Sequence, residues 1–95
     1  ELKEIVDLII KFRDDRGWKN NDRPENLAKS IIIEAAELLE NYQWGPEHAD
    51  LVNVKEELAD VMIYSIAMAY DLGFDIKEMI YEKLEKNNHK YPAKK

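Results

Sequence analysis

Apolar residues recur along this chain at the three- and four-residue spacing of α-helices. In residues 2–16 the apolar positions are Leu2, Ile5, Val6, Leu8, Ile9, Ile10 and Phe12. This spacing predicts a first helix, and Gly17 is a plausible stop at its C-terminal end. The segment NNDRPEN, residues 20–26, is predicted to be a turn, with Pro24 at the first position of the next helix.

The second predicted helix contains the most apolar stretch of the chain. It is expected to run from Pro24 to about Trp44, a length of roughly 30 Å at 1.5 Å per residue. The segment GPEHADLV, residues 45–52, then breaks the helical pattern, because it begins with the turn-forming pair Gly-Pro.

Two capping-box pairs predict the starts of the last two helices, since in each an N-cap side chain is followed three residues later by a glutamate. The pairs are Asn53 with Glu56 and Asp75 with Glu78. The third helix should end near Leu72, before Gly73, and the fourth near Lys90, before Pro92. No segment shows the two-residue alternation of a strand. The predicted fold class is therefore all-α, with four helices in a single domain spanning residues 1–95.

The composition narrows the class of protein. A chain of 95 residues with 45% hydrophobic and 36% charged residues is a globular rather than a disordered one. A core this small is marginal, so we expect a homo-oligomer, a dimer or a tetramer. The formal charge of -6 argues against a nucleic-acid polymer as partner.

The sequence gives only indirect evidence for the cellular compartment of the protein. No apolar run reaches the roughly 18 residues that a membrane span needs, so no membrane partner is expected. The absence of cysteine excludes disulfides and thiolate metal sites. Because no signal-peptide pattern opens the sequence, we expect a cytoplasmic protein. The first residue is Glu1 rather than Met, which leaves the natural start open.

Two pairs of carboxylates are embedded in apolar helical sequence. Glu34 and Glu37 lie three residues apart on the second helix, as do Glu57 and Asp60 on the third. Residues at this spacing share a helix face. If the two helices pack antiparallel, four carboxylates converge, and a divalent cation would relieve their repulsion. Oxygen-only ligands suit Mg²⁺ or Mn²⁺ better than zinc.

Other interpretations of the acids remain open. A solvated helix face accounts for most such pairs, because glutamates are common on exposed helices. A di-iron carboxylate bundle requires Glu-x-x-His on two helices. Neither His48 nor His89 follows a glutamate at that spacing, and both are expected on the surface.

The remaining polar and aromatic candidates are individually weak. Lys83, Asn87 and Tyr91 recur every four residues on the fourth helix, and they could contact phosphate oxygens or form an ordinary polar face. Tyr64 follows Asp60 by four residues on the side of the acids. Trp18 and Trp44 each follow a helix, where an indole can cover a core edge or stack on a nucleobase.

Four stretches together resemble the MazG-like all-α nucleoside triphosphate pyrophosphohydrolases, and within them the small dCTP pyrophosphatase branch. They are FRDDRGW, ENLAKSIIIEAAELLENYQW, EELADVMIY and EKLEKNNHKYP. The resemblance implies a Mg²⁺-dependent hydrolysis of a nucleoside triphosphate to the monophosphate and pyrophosphate. It also implies dimers or tetramers with sites near subunit interfaces.

The same resemblance implies residue roles. The metal ligands would be Glu34, Glu37, Glu57 and Asp60, and the substrate-binding residues Trp18, Trp44, Tyr64, Lys83, Asn87 and Tyr91. We expect Glu37 to orient or deprotonate the attacking water, because it lies between Glu34 and the further acid Glu40. The chain departs from the dCTP branch at Asp22, where that branch tends to carry histidine. A non-catalytic helical interaction module and a metal-binding bundle without hydrolysis remain as alternatives, but neither explains the residues on the fourth helix.

Overall fold

A computed structural model describes residues 1–18 and 22–94, and most of this part is α-helical. The helices are α1 (Leu2–Asp15), α2 (Pro24–Glu40), α3 (Leu51–Asp71) and α4 (Ile76–Lys90). The predicted all-α class is confirmed, since the described residues contain no strand. The first two residues of the predicted turn, Asn20 and Asn21, lie outside the described residues. Within them, no helix is long and apolar enough to span a membrane.

The centre of the fold is the pair formed by α2 and α3, which pack against each other more extensively than any other two helices. Their register is antiparallel, because Asn41 after α2 bonds to Asn53 near the start of α3, at 2.8 Å. α1 also packs on α3, whereas α4 contacts α3 through few residues. The buried apolar side chains are few, namely Ile9, Leu27, Ala67, Ala69 and Ile76.

α2 ends four residues earlier than predicted. It stops at Glu40, not near Trp44, so its length is about 25 Å. The next backbone N–H groups bond three residues back rather than four, with Asn41 N–H donating to the Leu38 carbonyl at 3.2 Å. The Asn41 side chain competes for the same carbonyls, since its Nδ2 lies 3.5 Å from that oxygen. A polar side chain that bonds its own backbone thus ends the helix.

The predicted cap of α3 was wrong, and that of α4 was right. Asp50, not Asn53, is the N-cap of α3, and its carboxylate accepts from the Val52 N–H at 3.1 Å. Asn53 lies inside the helix. Asp75 caps α4 as predicted by accepting from the Glu78 N–H at 3.0 Å. Aspartate and asparagine are near-equivalent caps, so the Asn53–Glu56 spacing was not sufficient evidence for a helix start at Asn53.

Candidate active site

Three carboxylates meet where the middle of α2 faces α3. One oxygen from each of Glu34, Glu37 and Glu57 lies within 4.8 Å of the others. The antiparallel register explains why these residues meet. Asn41 lies opposite Asn53, so Glu37, four residues before Asn41, comes close to Glu57, four residues after Asn53. We call Glu34, Glu37 and Glu57 the acid cluster. Among the described residues, none of the three forms a salt bridge.

The electrostatics of the acid cluster are those of like charges held together. The charge of Glu57 raises the pKa of Glu37, and loss of solvent raises it further. A side-chain hydrogen bond with Glu34, followed by burial, raises the pKa of Glu57. Glu57 is only 8% exposed, and its exposed part faces the cleft described below. The arrangement favours either a shared proton or a bound cation.

The acid cluster opens on one side to a polar cleft. The cleft is lined by Glu37, Glu40, Asn41, Gln43, Asn53 and Glu57. Its ligand atoms are oxygen and amide groups only, which is the donor set that Mg²⁺ and Mn²⁺ accept. The cluster residues present therefore fit such a cation.

Asp60 and Tyr64 lie on the other side, between the acid cluster and an apolar cavity. Asp60 is not one of the three carboxylates within mutual 4.8 Å reach, but its charge helps to raise the pKa values of Glu37 and Glu57. Burial raises the pKa of Tyr64, and the charges of Glu34 and Asp60 add to this effect. Asp60 and Tyr64 both line the cavity.

The apolar cavity has a volume of about 410 Å³ and lies between α1, α2 and α3. Its wall is mostly aliphatic and aromatic, and the lining residues are Leu8, Ile9, Phe12, Arg13, Trp18, Asp22, Leu27, Asp60, Ile63, Tyr64 and Ala67. The rings of Trp18 and Phe12 meet edge to face, with centroids 5.5 Å apart. A flat apolar ligand with a few polar edges matches a cavity of this kind.

The other aromatic candidate is placed differently. Trp44 lies in the turn after α2, is 75% exposed and does not line the apolar cavity. One chain therefore does not bring Trp18 and Trp44 to the same wall of this cavity.

The three candidates on α4 are also apart from the acids. Lys83 and Tyr91 are exposed and Asn87 is half-buried. None of the three lines the apolar cavity or the polar cleft. Most residues of α4 are exposed in a single chain, and the helix contacts α3 through few residues.

A buried ion-pair network, which the sequence analysis missed, stands beside the cavity. Arg13 on α1 is buried and donates from Nη1 and Nη2 to Asp71 on α3, at 3.1 and 2.6 Å. Its Nε donates to Asp22 at 3.3 Å. The Asp71 hydrogen bond and both carboxylate charges raise the pKa of Arg13 against the opposing effect of burial. The available signal was that Arg13 follows Ile9 by four residues, which places it on the buried face of α1.

Comparison with known proteins links this geometry to a family and to solved structures. The sequence model of the MazG-like family matches residues 29–95. A crystal structure of a pyrophosphatase from Archaeoglobus fulgidus is 40% identical in sequence and superposes with a TM-score of 0.89. The superposition covers 97% of this chain and 93% of the archaeal one.

Relatives from mammals are more distant and longer. The protein named dCTP pyrophosphatase 1 is 32% identical in Homo sapiens and 31% identical in Mus musculus, each over 101 aligned residues. These alignments cover 97% of this chain and 59% of each relative. The chain therefore spans about three fifths of the length of the curated relatives it matches.

Proposed function

This chain belongs to the MazG-like family, and we propose on that basis that it is a nucleoside triphosphate pyrophosphohydrolase. The family resemblance seen in the sequence is confirmed. The archaeal neighbour is described as a pyrophosphatase, and the mammalian relatives as dCTP pyrophosphatases, which supports a (deoxy)nucleoside triphosphate as substrate. The observation that carries the proposal is the acid cluster, whose like charges are held together between two helices.

The substrate would be cleaved at its α-phosphorus. Water attacks this phosphorus, the bond to the bridging oxygen breaks, and the products are the nucleoside monophosphate and pyrophosphate. Such reactions depend mostly on positioning and on neutralisation of charge. Glu34, Glu37, Glu57 and Asp60 would hold Mg²⁺, or Mn²⁺ in its place. The bound cation would neutralise phosphate charge and lower the pKa of a coordinated water.

Glu37 is the residue that we assign to the attacking water. On α2 it lies between two further carboxylates, Glu34 and Glu40, each three residues away. It also lines the polar cleft, through which water reaches the acid cluster. Glu37 would orient the water and accept its proton as the bond to phosphorus forms.

The apolar cavity would hold the nucleobase. Asp60 lines this cavity and its charge acts on the acid cluster, so a base in the cavity leaves the phosphates near the acids. Trp18 offers an aromatic face to the base, and the Tyr64 hydroxyl offers a polar contact near the sugar and phosphates. Stacking of a base on an aromatic side chain is worth about 1–3 kcal/mol.

A second copy of the chain would complete the site. Every helix leaves large apolar side chains exposed, for example Phe12, Ile32, Met62 and Leu84, which are 47%, 70%, 63% and 54% exposed. An apolar surface this extensive is typical of an interface. In a homodimer or homotetramer, a neighbouring α4 would bring Lys83, Asn87 and Tyr91 to the triphosphate, and Trp44 would be covered.

The proposal is tested by pyrophosphate release from a panel of nucleoside triphosphates in Mg²⁺. Glu57→Gln removes one charge from the acid cluster, and Glu56→Gln is the matched control, because Glu56 is its exposed neighbour on α3. We expect turnover by the wild type and by Glu56→Gln, and at least about a tenfold loss in Glu57→Gln. Excess EDTA should abolish activity.

Two outcomes would count against the proposal. If no nucleotide releases pyrophosphate while the protein assembles normally, the helical interaction module is favoured. If Mg²⁺ binds but no nucleotide is hydrolysed, the chain is a metal-binding bundle. Equal turnover by Glu57→Gln and Glu56→Gln would show that the acid cluster is not the active site.

A further inference from the structure

Two carboxylates line the apolar cavity, Asp60 and Asp22. Asp60 is close to the acid cluster in sequence, whereas Asp22 is not. Asp22 lies just before α2, and its side chain is 26% exposed. Its Oδ2 accepts the single hydrogen bond from Arg13 Nε, at 3.3 Å. Within the described residues, no side-chain donor bonds to the other oxygen, Oδ1. Asp22 therefore keeps hydrogen-bonding capacity at the edge of an apolar space.

Asp22 is held beside an aromatic surface. Its backbone N–H donates to the Trp18 carbonyl at 2.9 Å, which fixes the two residues relative to each other. The Trp18 ring in turn leans on Phe12. Trp18 and Asp22 both line the apolar cavity, so a planar heterocycle bound in that cavity would have both residues in its wall.

The need to compensate the charge of Arg13 does not by itself explain why a carboxylate is present at position 22. Asp71 already engages Arg13 through two nitrogens, at 3.1 and 2.6 Å, and its side chain is only 13% exposed. The Asp22 contact is single, longer and more exposed. Arg13 holds Asp22 in place, and most of the charge compensation comes from Asp71.

On the premise of the proposed function, we infer that Asp22 is a specificity residue that selects nucleobases by an amino group in the place of the cytosine 4-amino or the adenine 6-amino group. A carboxylate accepts hydrogen bonds and donates none. Cytosine and adenine carry an amino group, at C4 and C6, whose hydrogens Oδ1 can accept, whereas thymine, uracil and guanine carry a carbonyl oxygen in the corresponding place. A carbonyl oxygen facing Asp22 would be repelled, and the carboxylate would lose solvent without gaining a partner.

The inference predicts a ratio of rates. In Mg²⁺, kcat/KM for dCTP should exceed that for dTTP by about tenfold or more, and kcat/KM for dATP should also exceed that for dUTP. In Asp22→Asn the dCTP-to-dTTP ratio should fall to within about threefold, because the amide can rotate to donate to a carbonyl oxygen. Binding of the non-hydrolysable α,β-imido analogues of dCTP and dTTP, measured by calorimetry, gives the same comparison without turnover.

Asp71→Asn is the matched control. It weakens the same Arg13 network, but Asp71 does not line the apolar cavity. At a temperature where both variants are folded, Asp71→Asn should keep the wild-type base ratio although it is the less stable of the two. A ratio that falls equally in both variants would reduce Asp22 to a structural partner of Arg13 and overturn the inference.

The remaining outcomes separate this inference from the proposed function. Turnover with an unchanged ratio in Asp22→Asn, or a wild type that prefers dTTP, overturns the assignment of Asp22 alone. Selective binding of the dCTP analogue without hydrolysis of any triphosphate overturns the proposed reaction and supports Asp22. Absence of both binding and hydrolysis overturns both.

Discussion

Asp71→Asn should be one of the most destabilising single changes outside the apolar core. Arg13 and Asp71 are 5% and 13% exposed, and two hydrogen bonds join them. Removing one partner of a buried ion pair costs about 3–5 kcal/mol, because it strands the other charge. Asp22 remains 3.3 Å from Arg13 Nε and offsets part of this cost. We therefore expect a loss of about 2–3 kcal/mol in the free energy of unfolding.

For a domain of this size, such a loss lowers Tm by about 10–20 °C. Asp15→Asn is the control, because Asp15 on α1 pairs with Lys11 at 2.7 Å but is 54% exposed. That exposed pair should contribute less than about 0.5 kcal/mol. Both variants should be unfolded by heat and by urea at one fixed protein concentration, since assembly shifts apparent stability. If Asp71→Asn costs no more than Asp15→Asn, the reasoning from burial is wrong.

Three further predictions concern the proposed site. Glu37→Gln and Asp60→Asn should each lower kcat about a hundredfold in a pyrophosphate-release assay without lowering Tm, and wild-type turnover in both would refute the catalytic assignment. Because the pKa values of Glu37 and Glu57 are raised in the fold, protons compete with cations there, so Mg²⁺ should raise Tm more at about pH 7.5 than at about pH 5. An equal rise at both pH values would contradict this. Trp44→Ala should lower the mass measured by sedimentation or raise KM more than it lowers kcat, and an unchanged mass with unchanged kinetics would leave Trp44 without a role.

The sign of the pH effect on the metal-free protein follows from the same two glutamates. Their pKa values in the folded state lie above the ordinary value of 4.5, so between that value and the raised ones the folded state binds more protons than the unfolded state. Their contribution therefore destabilises the fold progressively as the pH rises through this window. In Glu57→Gln this part of the pH dependence should shrink.

Much of the fold could be predicted from local patterns. The helical spacing, the positions of the glycines and prolines, and the Asp75 cap were enough for the order and the approximate bounds of the four helices. The C-terminal end of α2 and the N-terminal end of α3 were not predicted correctly. They depend on hydrogen bonds from the Asn41 side chain to carbonyl groups of α2 and from N–H groups of α3 to the Asp50 side chain, and several neighbouring polar residues could make similar bonds. These errors at the helix ends did not affect the predicted spacing of the glutamates within α2 and α3.

The acid cluster could be predicted because it requires only the three-residue spacing of carboxylates on α2 and on α3 and the antiparallel packing of these two helices. The Arg13–Asp71 pair could not, since 58 residues separate its members and neither has a local signature. The missed pair bears on the cavity because one of its members, Arg13, also donates a hydrogen bond to Asp22. The departure of Asp22 from the dCTP branch was visible in the sequence, but its orientation by Arg13 and Trp18 required the structure.

The two groups of charged residues near the cavity, the acid cluster and the network around Arg13, differ in whether their charges are paired. Arg13 is buried against two carboxylates, so its charge is matched and its role is to hold α1 to α3. Glu34, Glu37 and Glu57 are held together with no cationic side chain bonded to them among the described residues. Folding gains nothing from that repulsion, and a chain with so few buried apolar side chains has little stability to spare. A cation bound there would compensate this charge, and for this reason the proposed chemistry rests on the acid cluster and not on the network around Arg13.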